Sequence, residues 1–97
     1  MAGEKIEIEN IKQPGARYRV DAAKYHAARA AYLQAIAAGG PALTVAEIAP
    51  LVRERLPQDL FPGGATAGWW TKAVQLDLEA KGVLVRDAGK PLRLRRA

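Results

Sequence analysis

The sequence predicts an α+β domain in which three helices lie between an N-terminal β-hairpin and a C-terminal β-hairpin. Charged and apolar residues alternate near both ends of the chain, which is the period of half-buried strands. The middle of the chain is rich in Ala and carries helix start and stop signals. Because 97 residues suit one domain and no linker separates two cores, residues 1–97 are interpreted as a single domain.

Composition limits the classes of protein to which the chain can belong. Apolar residues make up 49% of the sequence, but 20 of the 97 residues are Ala, so the core is modest and leaves little room for a deep substrate cavity. Cys is absent, which excludes disulfides and thiolate metal sites. No apolar run is long enough to span a membrane, and the first residues do not resemble a signal segment. We therefore expect a cytoplasmic protein with no membrane partner.

The N-terminal hairpin is predicted from two alternating segments, Lys5–Glu9 and Arg17–Val20, on either side of a turn at Gln13-Pro14-Gly15. The first segment directs two Glu outward and the second offers two Arg. Pairs of opposite charge across the strands favour this hairpin.

The first two helices have clear boundaries in the sequence. Asp21 is a predicted N-cap for a helix from Ala22 to Ala38, which the Gly-Gly-Pro at 39–41 ends. Its apolar stripe consists of Tyr25, Ala28, Tyr32 and Ile36. Thr44 and Glu47 match a capping box for a second helix that ends near Leu56. Pro50 lies inside it, where we expect a kink or a tight first turn.

The third helix follows a loop at residues 57–66 and is predicted from Ala67 to Lys81, with Gly82 as its stop signal. Leu60 and Phe61 in the loop are expected to fill the core. Strands are predicted at residues 83–86 and 91–95, and residues 87–90 form a turn between them.

Two adjoining apolar stripes on the third helix predict that it is covered on two sides. One stripe is Trp70, Val74 and Leu78, and the other is Trp69, Ala73, Leu76 and Ala80. The predicted polar side carries Gly68, Lys72, Gln75 and Glu79. Asp77 falls between the apolar stripes, so we expect it to form a salt bridge or hydrogen bond. Both Trp are expected in the core, and an exposed Trp69 would instead indicate an interaction surface.

A resemblance follows from this organisation. Three helices, the second of them capped, precede the run from Leu78 to Arg86 and a basic hairpin, and this order resembles the winged helix-turn-helix superfamily. Over nearly its full length the chain also resembles a family of small bacterial proteins. Residues 5–25, 59–64 and 68–82 carry that second resemblance. It implies a winged-helix-like fold and no particular activity, because no activity is assigned to that family.

The net charge of +5 lies entirely at the C-terminal end of the chain. Residues 1–80 hold nine Lys or Arg and nine Asp or Glu, whereas residues 81–97 hold six Lys or Arg and one Asp. A local positive field favours an anionic partner. We therefore expect the C-terminal hairpin, or wing, and part of the third helix to bind double-stranded DNA. The predicted contacts are Lys72, Gln75, Arg86, Lys90, Arg93, Arg95 and Arg96.

Two observations indicate that such a protein would contact the DNA backbone and would not read the bases. The connection before the third helix is about ten residues long, whereas a helix-turn-helix uses three or four. Glu79 on the predicted exposed face would repel phosphate.

The alternative hypothesis is a protein–protein interaction module or a homodimer, formed through the edges of the N-terminal hairpin. A contiguous basic face from the wing to the third helix would favour DNA. A neutral face with exposed Trp69, Tyr18 or Phe61 would favour protein.

Catalysis is not expected. The chain has no Ser or Cys nucleophile, and His26 is its single His, on the polar side of the first helix. The Gly-containing run from Gly63 to Gly68 lacks the Lys-Thr ending of a nucleotide-binding loop. We therefore expect a protein that is not an enzyme and needs no cofactor or metal.

Overall fold

The computed structural model describes residues 3–87 and 89–97, in which three helices and two small antiparallel sheets form a mixed α+β fold. The predicted class is thus confirmed. The elements in chain order are β1 (Lys5–Ile8), β2 (Tyr18–Asp21), α1 (Ala22–Ala35), β3 (Leu43–Thr44), α2 (Val45–Arg55), α3 (Ala67–Ala80), β4 (Leu84–Asp87) and β5 (Arg93–Arg96). One sheet is β1-β2 and the other has the order β3-β5-β4. Within these residues, no helix has the length and apolar character needed to cross a bilayer.

Strands β1 and β2 pair antiparallel and place their apolar residues on one face. Ile6 lies opposite Val20, and Ile8 lies opposite Tyr18. Since side chains alternate between the faces of a strand, these four residues share the face that packs towards the helices. On the other face, Arg17 forms exposed ion pairs with Glu7 of β1 at 4.0 Å and with Glu9, just after this strand, at 3.6 Å. Exposed pairs of this kind stabilise a hairpin by a few tenths of a kcal/mol.

Helix α1 begins as predicted but ends three residues early. The carboxylate of Asp21 accepts a hydrogen bond from the Lys24 N–H at 2.9 Å, which caps the helix. The predicted apolar stripe is buried. Ile36 adopts an extended conformation, and its side chain is 1% exposed. The helix propensity of the following Ala residues is overridden, because the chain must turn at residues 37–40 to reach β3.

The capping box of α2 is confirmed. The Glu47 N–H donates to Thr44 Oγ1 at 3.1 Å, and the Thr44 N–H donates to Glu47 Oε1 at 2.8 Å. The second of these bonds holds the pKa of the Glu47 carboxyl below its usual value. Pro50 lies inside α2 as expected. Strand β3 was not predicted, because two residues show no periodicity. It forms by pairing with β5.

The loop before α3 fixes an aromatic contact in the core. Phe61 is fully buried and meets the ring of Trp70 edge-on, with centroids 6.2 Å apart. Leu60 is partly buried against the same core, so the prediction for this loop is confirmed. Thr66 directly precedes α3 and adopts a left-handed conformation with φ of 59°. Such a conformation is unusual for a β-branched residue.

The C-terminal hairpin pairs β4 with β5. Both strands begin slightly later than predicted, and Gly82 stops α3 with φ of 75°. Leu94 of β5 is fully buried, and the two Arg beside it are exposed, as alternation predicted. Ala88, in the predicted turn, lies outside the described residues.

Candidate functional site

The C-terminal half of α3 carries a buried carboxylate that joins three parts of the molecule. Asp77 is 0% exposed. It accepts hydrogen bonds from the Glu9 N–H at 2.9 Å, the Tyr25 hydroxyl at 2.5 Å and Lys81 Nζ at 2.8 Å. The expectation that Asp77 is paired is confirmed. Its contacts hold the N-terminal hairpin and α1 against α3.

Both side-chain partners of Asp77 titrate abnormally. Burial and the hydrogen bond to Asp77 raise the pKa of the Tyr25 hydroxyl. Burial alone would lower the pKa of Lys81, but the hydrogen bond and charge of Asp77 outweigh it and raise that pKa. The cluster is therefore built to keep a neutral Tyr and a charged Lys beside a carboxylate.

A second polar cluster contradicts the predicted exposed face of α3. Gln75 is 1% exposed and Glu79 is 7% exposed. The Gln75 amide donates to Glu79 Oε2 at 3.1 Å, and the Arg86 guanidinium donates to both Glu79 oxygens. The prediction that Gln75 and Glu79 lie on a solvent face is wrong. Helical periodicity cannot recognise polar residues that are buried together with a cation.

The same cluster affects two neighbouring groups. The hydrogen bond to Glu79 raises the pKa of Arg86, so this guanidinium stays charged. Burial and the negative charge of Glu79 raise the pKa of the Tyr32 hydroxyl, so this phenol stays neutral. The positive charge of Arg86, a predicted DNA contact, is thus paired with the Glu79 carboxylate of its own chain.

Three of the six Lys and Arg residues in residues 81–97 form ion pairs with carboxylates. Lys81 binds Asp77, Arg86 binds Glu79, and Arg95 Nε lies 2.9 Å from Asp87. Lys90, Arg93 and Arg96 form no ion pair within residues 3–87 and 89–97. Arg93 is still close enough to Glu47 to contribute to lowering its pKa. The basic surface that remains on the wing is therefore smaller than the sequence indicated.

A groove of about 640 Å³ lies between the N-terminal hairpin and α3. Its aliphatic floor consists of Ile8, Val20, Ala73 and Leu76. Two aromatic side chains line the groove and remain exposed, Tyr18 at 43% and Trp69 at 56%. None of the described residues of the wing borders this groove. The structure thus separates Lys72, which lines the groove, from the other cations that were predicted to bind DNA.

The two consecutive Trp have opposite environments. Trp70 is 6% exposed, whereas Trp69 is mostly exposed, with the two rings edge-to-face and 5.0 Å apart. The predicted core placement is confirmed for Trp70 and wrong for Trp69. The hairpin covers the second stripe of α3 only near Leu76, whose carbonyl accepts a hydrogen bond from the Ile11 N–H at 3.3 Å. Trp69 lies two turns earlier on the helix and is left uncovered.

The charges around the groove are mainly positive. Lys72 is exposed beside Trp69. Arg17 and Arg19 line the groove at the edge of the hairpin, on either side of Tyr18, although alternation along β2 directs their side chains away from the face that carries Tyr18. Glu9 is the carboxylate among the lining residues, and Arg17 already pairs with it. The groove therefore combines an apolar floor, two exposed aromatic rings and a cationic border.

Other candidate chemistry is sparse. In the described part of the chain, no group of three or more His, Asp or Glu is placed to hold a metal ion. His26 is exposed, as predicted, and contacts the edge of the Tyr25 ring. In the Gly-containing run before α3, the Gly63 carbonyl accepts a hydrogen bond from Arg53 at 3.4 Å.

Comparison with protein families decides what the chain is related to. The model of a family of unknown function, DUF6958, matches residues 5–94. The chain belongs to this family. The match includes β1, β2 and α3, so the DUF6958 region contains every element that forms the groove. Searches of curated proteins and of solved structures gave no match.

Proposed function

We propose that this DUF6958 protein is a non-catalytic, winged-helix-like domain that binds another protein through the groove between its N-terminal hairpin and α3. The winged-helix part of the proposal is supported by the element order α1-β3-α2-α3-β4-β5 and by the sheet order β3-β5-β4. In such a fold, β4 and β5 form the wing. The β1-β2 hairpin is added to the winged-helix elements, and it forms the groove together with α3.

The exposed Trp69 carries the binding proposal. A Trp that is 56% exposed leaves a large apolar surface in water, although the adjacent Trp70 shows that this core accepts an indole. Trp and Tyr are enriched at protein interfaces, because they bury a large area and lose little conformational freedom. Tyr18 lies across the groove on the hairpin, so a partner segment would contact both rings.

The buried polar face of α3 argues against reading of DNA bases by this helix. Gln75, one of the predicted DNA contacts, already donates its amide to a buried carboxylate. Lys72 and Trp69 are exposed on α3, and both lie on the groove. The connection from Leu56 to Thr66 also exceeds a helix-turn-helix turn.

Backbone contact with double-stranded DNA through the wing is the second candidate. It is favoured by Lys90, Arg93 and Arg96, which have no carboxylate within ion-pair distance in the described residues. About three phosphate contacts give a log–log salt slope of roughly −2.7, which is about a 40-fold loss of affinity between 50 and 200 mM salt. Fluorescence anisotropy on a random duplex tests this candidate. Absence of binding at low salt would contradict it.

Selection from a displayed peptide library tests the groove directly. The full chain is immobilised, and soluble Trp69→Ala protein is added in excess to remove peptides that bind elsewhere. Recovered peptides are then titrated against the native chain, Trp69→Ala and Ile11→Ala. Ile11 is the matched control, because it is an exposed apolar residue of the hairpin region, 42% accessible, that does not line the groove.

The proposal expects peptides that bind the native chain and Ile11→Ala equally and lose at least about tenfold in affinity with Trp69→Ala. Failure to recover any peptide whose binding depends on Trp69 would overturn it. Sedimentation at several concentrations addresses the homodimer alternative. A dimer that Trp69→Ala dissociates would show that the groove is occupied by a second copy, contrary to the proposal.

A further inference from the structure

We propose that the segment bound in this groove is acidic and carries a large apolar anchor side chain, an inference that rests on the proposed function. Apolar and cationic features lie side by side in the groove, so its occupant must offer both an apolar group and negative charge. The apolar floor and the cationic border each restrict the side chains that a bound segment can carry.

The floor of the groove selects an apolar anchor. Ala73 and Leu76 of α3 face Val20 and the buried Ile8 of the hairpin across the groove. No hydrogen-bonding side chain belongs to this aliphatic floor, so a polar group placed on it would lose water without gaining a partner. An aliphatic or aromatic side chain on the floor would instead remove apolar surface from water on both sides.

The border of the groove selects negative charge near that anchor. Lys72 lies on α3 beside Trp69 and has no ion pair among the described residues. Arg17 and Arg19 lie on both sides of Tyr18, and Arg17 alone of these three cations is paired with Glu. Residues 1–80 are neutral overall, so this local excess is a property of the groove and does not follow from the charge of its surroundings. Carboxylates next to the anchor would pair with the free cations.

A second copy of the chain does not fit this charge pattern. Two grooves brought face to face would bring the cationic borders of both copies, with Lys72 and Arg19, into one interface, and like charges at an interface repel. The exposed Lys90 and Arg93 and the half-buried Arg96 of the C-terminal wing are also cationic and would be repelled. An acidic segment of a different protein has no such conflict.

A single nucleic acid strand fits less well than an acidic protein segment. Exposed aromatic rings with cations can stack bases and hold phosphates. In this groove, however, the carboxylate of Glu9 lies on the border and occupies Arg17 at 3.6 Å. The aliphatic floor, in addition, offers no hydrogen bond to a base edge, and the side-chain oxygen of Asn10, which also lines the groove, already accepts a hydrogen bond from the Lys12 N–H at 2.9 Å. A strand that follows the border would meet a negative charge where it needs a positive one.

Titration with three matched peptides tests the inference on the full chain. The first is a fluorescein-labelled peptide of alternating Glu and Leu around a central Phe. The second has Gln in place of each Glu, and the third has Lys in place of each Glu. A labelled oligothymidylate is the nucleic acid probe. Two double variants are compared with the native chain. The groove variant carries Arg19→Glu and Lys72→Glu. The control variant carries Lys12→Glu and Lys90→Glu, which change the net charge by the same amount at residues that do not line the groove.

The native chain is expected to bind the Glu peptide at least about tenfold more tightly than the Gln peptide, and the Lys peptide most weakly. The groove variant should lose this order, and the control variant should keep it. Equal binding of the Glu and Gln peptides, abolished by Trp69→Ala, would overturn the acidic partner and leave the protein-binding groove intact. Oligothymidylate that competes for the groove more tightly than the Glu peptide would also overturn the inference. No Trp69-dependent binding of any probe would overturn this inference, and the peptide library would then decide separately whether the groove binds protein.

Discussion

The two halves of α3 use their conspicuous side chains in opposite ways. In the C-terminal half, Asp77 and Glu79 are buried, and each is bound to a cation. In the N-terminal half, Trp69 and Lys72 are exposed beside an open groove. Glu79, which was expected in solvent, and Asp77 hold the fold together, and Trp69, which was expected in the core, lies in water.

This difference follows from what covers each half. The hairpin reaches α3 at Leu76 and Asp77, where backbone groups of Ile11 and Glu9 bond to it. Beyond that point the hairpin and the helix separate and leave the groove between them. On the side of α3 that faces the hairpin, the C-terminal end is thus covered, and the N-terminal end is available for a partner. Removing groups from each half should therefore affect different properties of the protein.

The largest effect is expected at the buried carboxylate. Asp77→Ala leaves the Tyr25 hydroxyl and the Glu9 N–H without their acceptor, and it removes the partner of Lys81. We expect the free energy of unfolding to fall by about 2–4 kcal/mol, as measured by urea denaturation. Asp87→Ala is the control, because that carboxylate pairs with Arg95 on the surface, and it should cost less than about 1 kcal/mol. Equal losses for the two variants would contradict this account of the C-terminal half.

The guanidinium of Arg86 should come next. Arg86→Ala leaves the Glu79 carboxylate, whose side chain is 3% exposed, with the amide of Gln75 as its remaining hydrogen-bond donor. We expect a loss of about 2 kcal/mol in the free energy of unfolding, because the Arg86 side chain is itself 38% exposed and its charge is partly screened. Arg95→Ala, on the same hairpin, should change stability by about 0.5 kcal/mol or less. If both variants lose the same amount, Arg86 has no special structural role.

A smaller effect should appear at alkaline pH. The pKa values of Tyr25 and Lys81 are raised in the folded chain, so their contribution to stability is fully present below about pH 10 and is lost as the pH rises through the folded values. Tyr25→Phe lacks the Tyr25 part of this contribution, about 1 kcal/mol for one hydrogen bond. The difference in unfolding free energy between the native chain and Tyr25→Phe should therefore narrow as the pH rises from about 9 to about 11. Tyr32 is present in both proteins and cancels. A constant difference would contradict the proposed coupling of Tyr25 to Asp77.

Local signals in the sequence predicted most of the elements and few of the long-range contacts. The caps at Asp21 and Thr44 and the buried Phe61 were predicted correctly, because each depends on neighbouring residues or on apolar character alone. Strand β3 was missed, because its two residues are a strand only through pairing with β5.

The candidate site was harder to predict than the fold, because it depends on where the hairpin ends against α3. The apolar stripe of α3 that contains both Trp69 and Leu76 could not predict the exposure of Trp69, because Leu76 in that stripe is buried. The burial of Gln75 and Glu79 depends on Arg86, a cation seven residues beyond Glu79 in the next strand. The signal that could have found the groove was the pair of consecutive Trp, which cannot both face one side of a helix.

The most direct test of the central claim compares stability and binding in one variant, Trp69→Ala. We predict that the free energy of unfolding of this variant stays within about 1 kcal/mol of the native value, since the Trp69 ring is 56% exposed and meets Trp70 edge-to-face. We also predict that the affinity for the Glu peptide falls by about thirtyfold, which corresponds to about 2 kcal/mol. A loss of several kcal/mol in stability together with unchanged affinity would contradict this claim, because Trp69 would then support the fold and would make no contribution to binding.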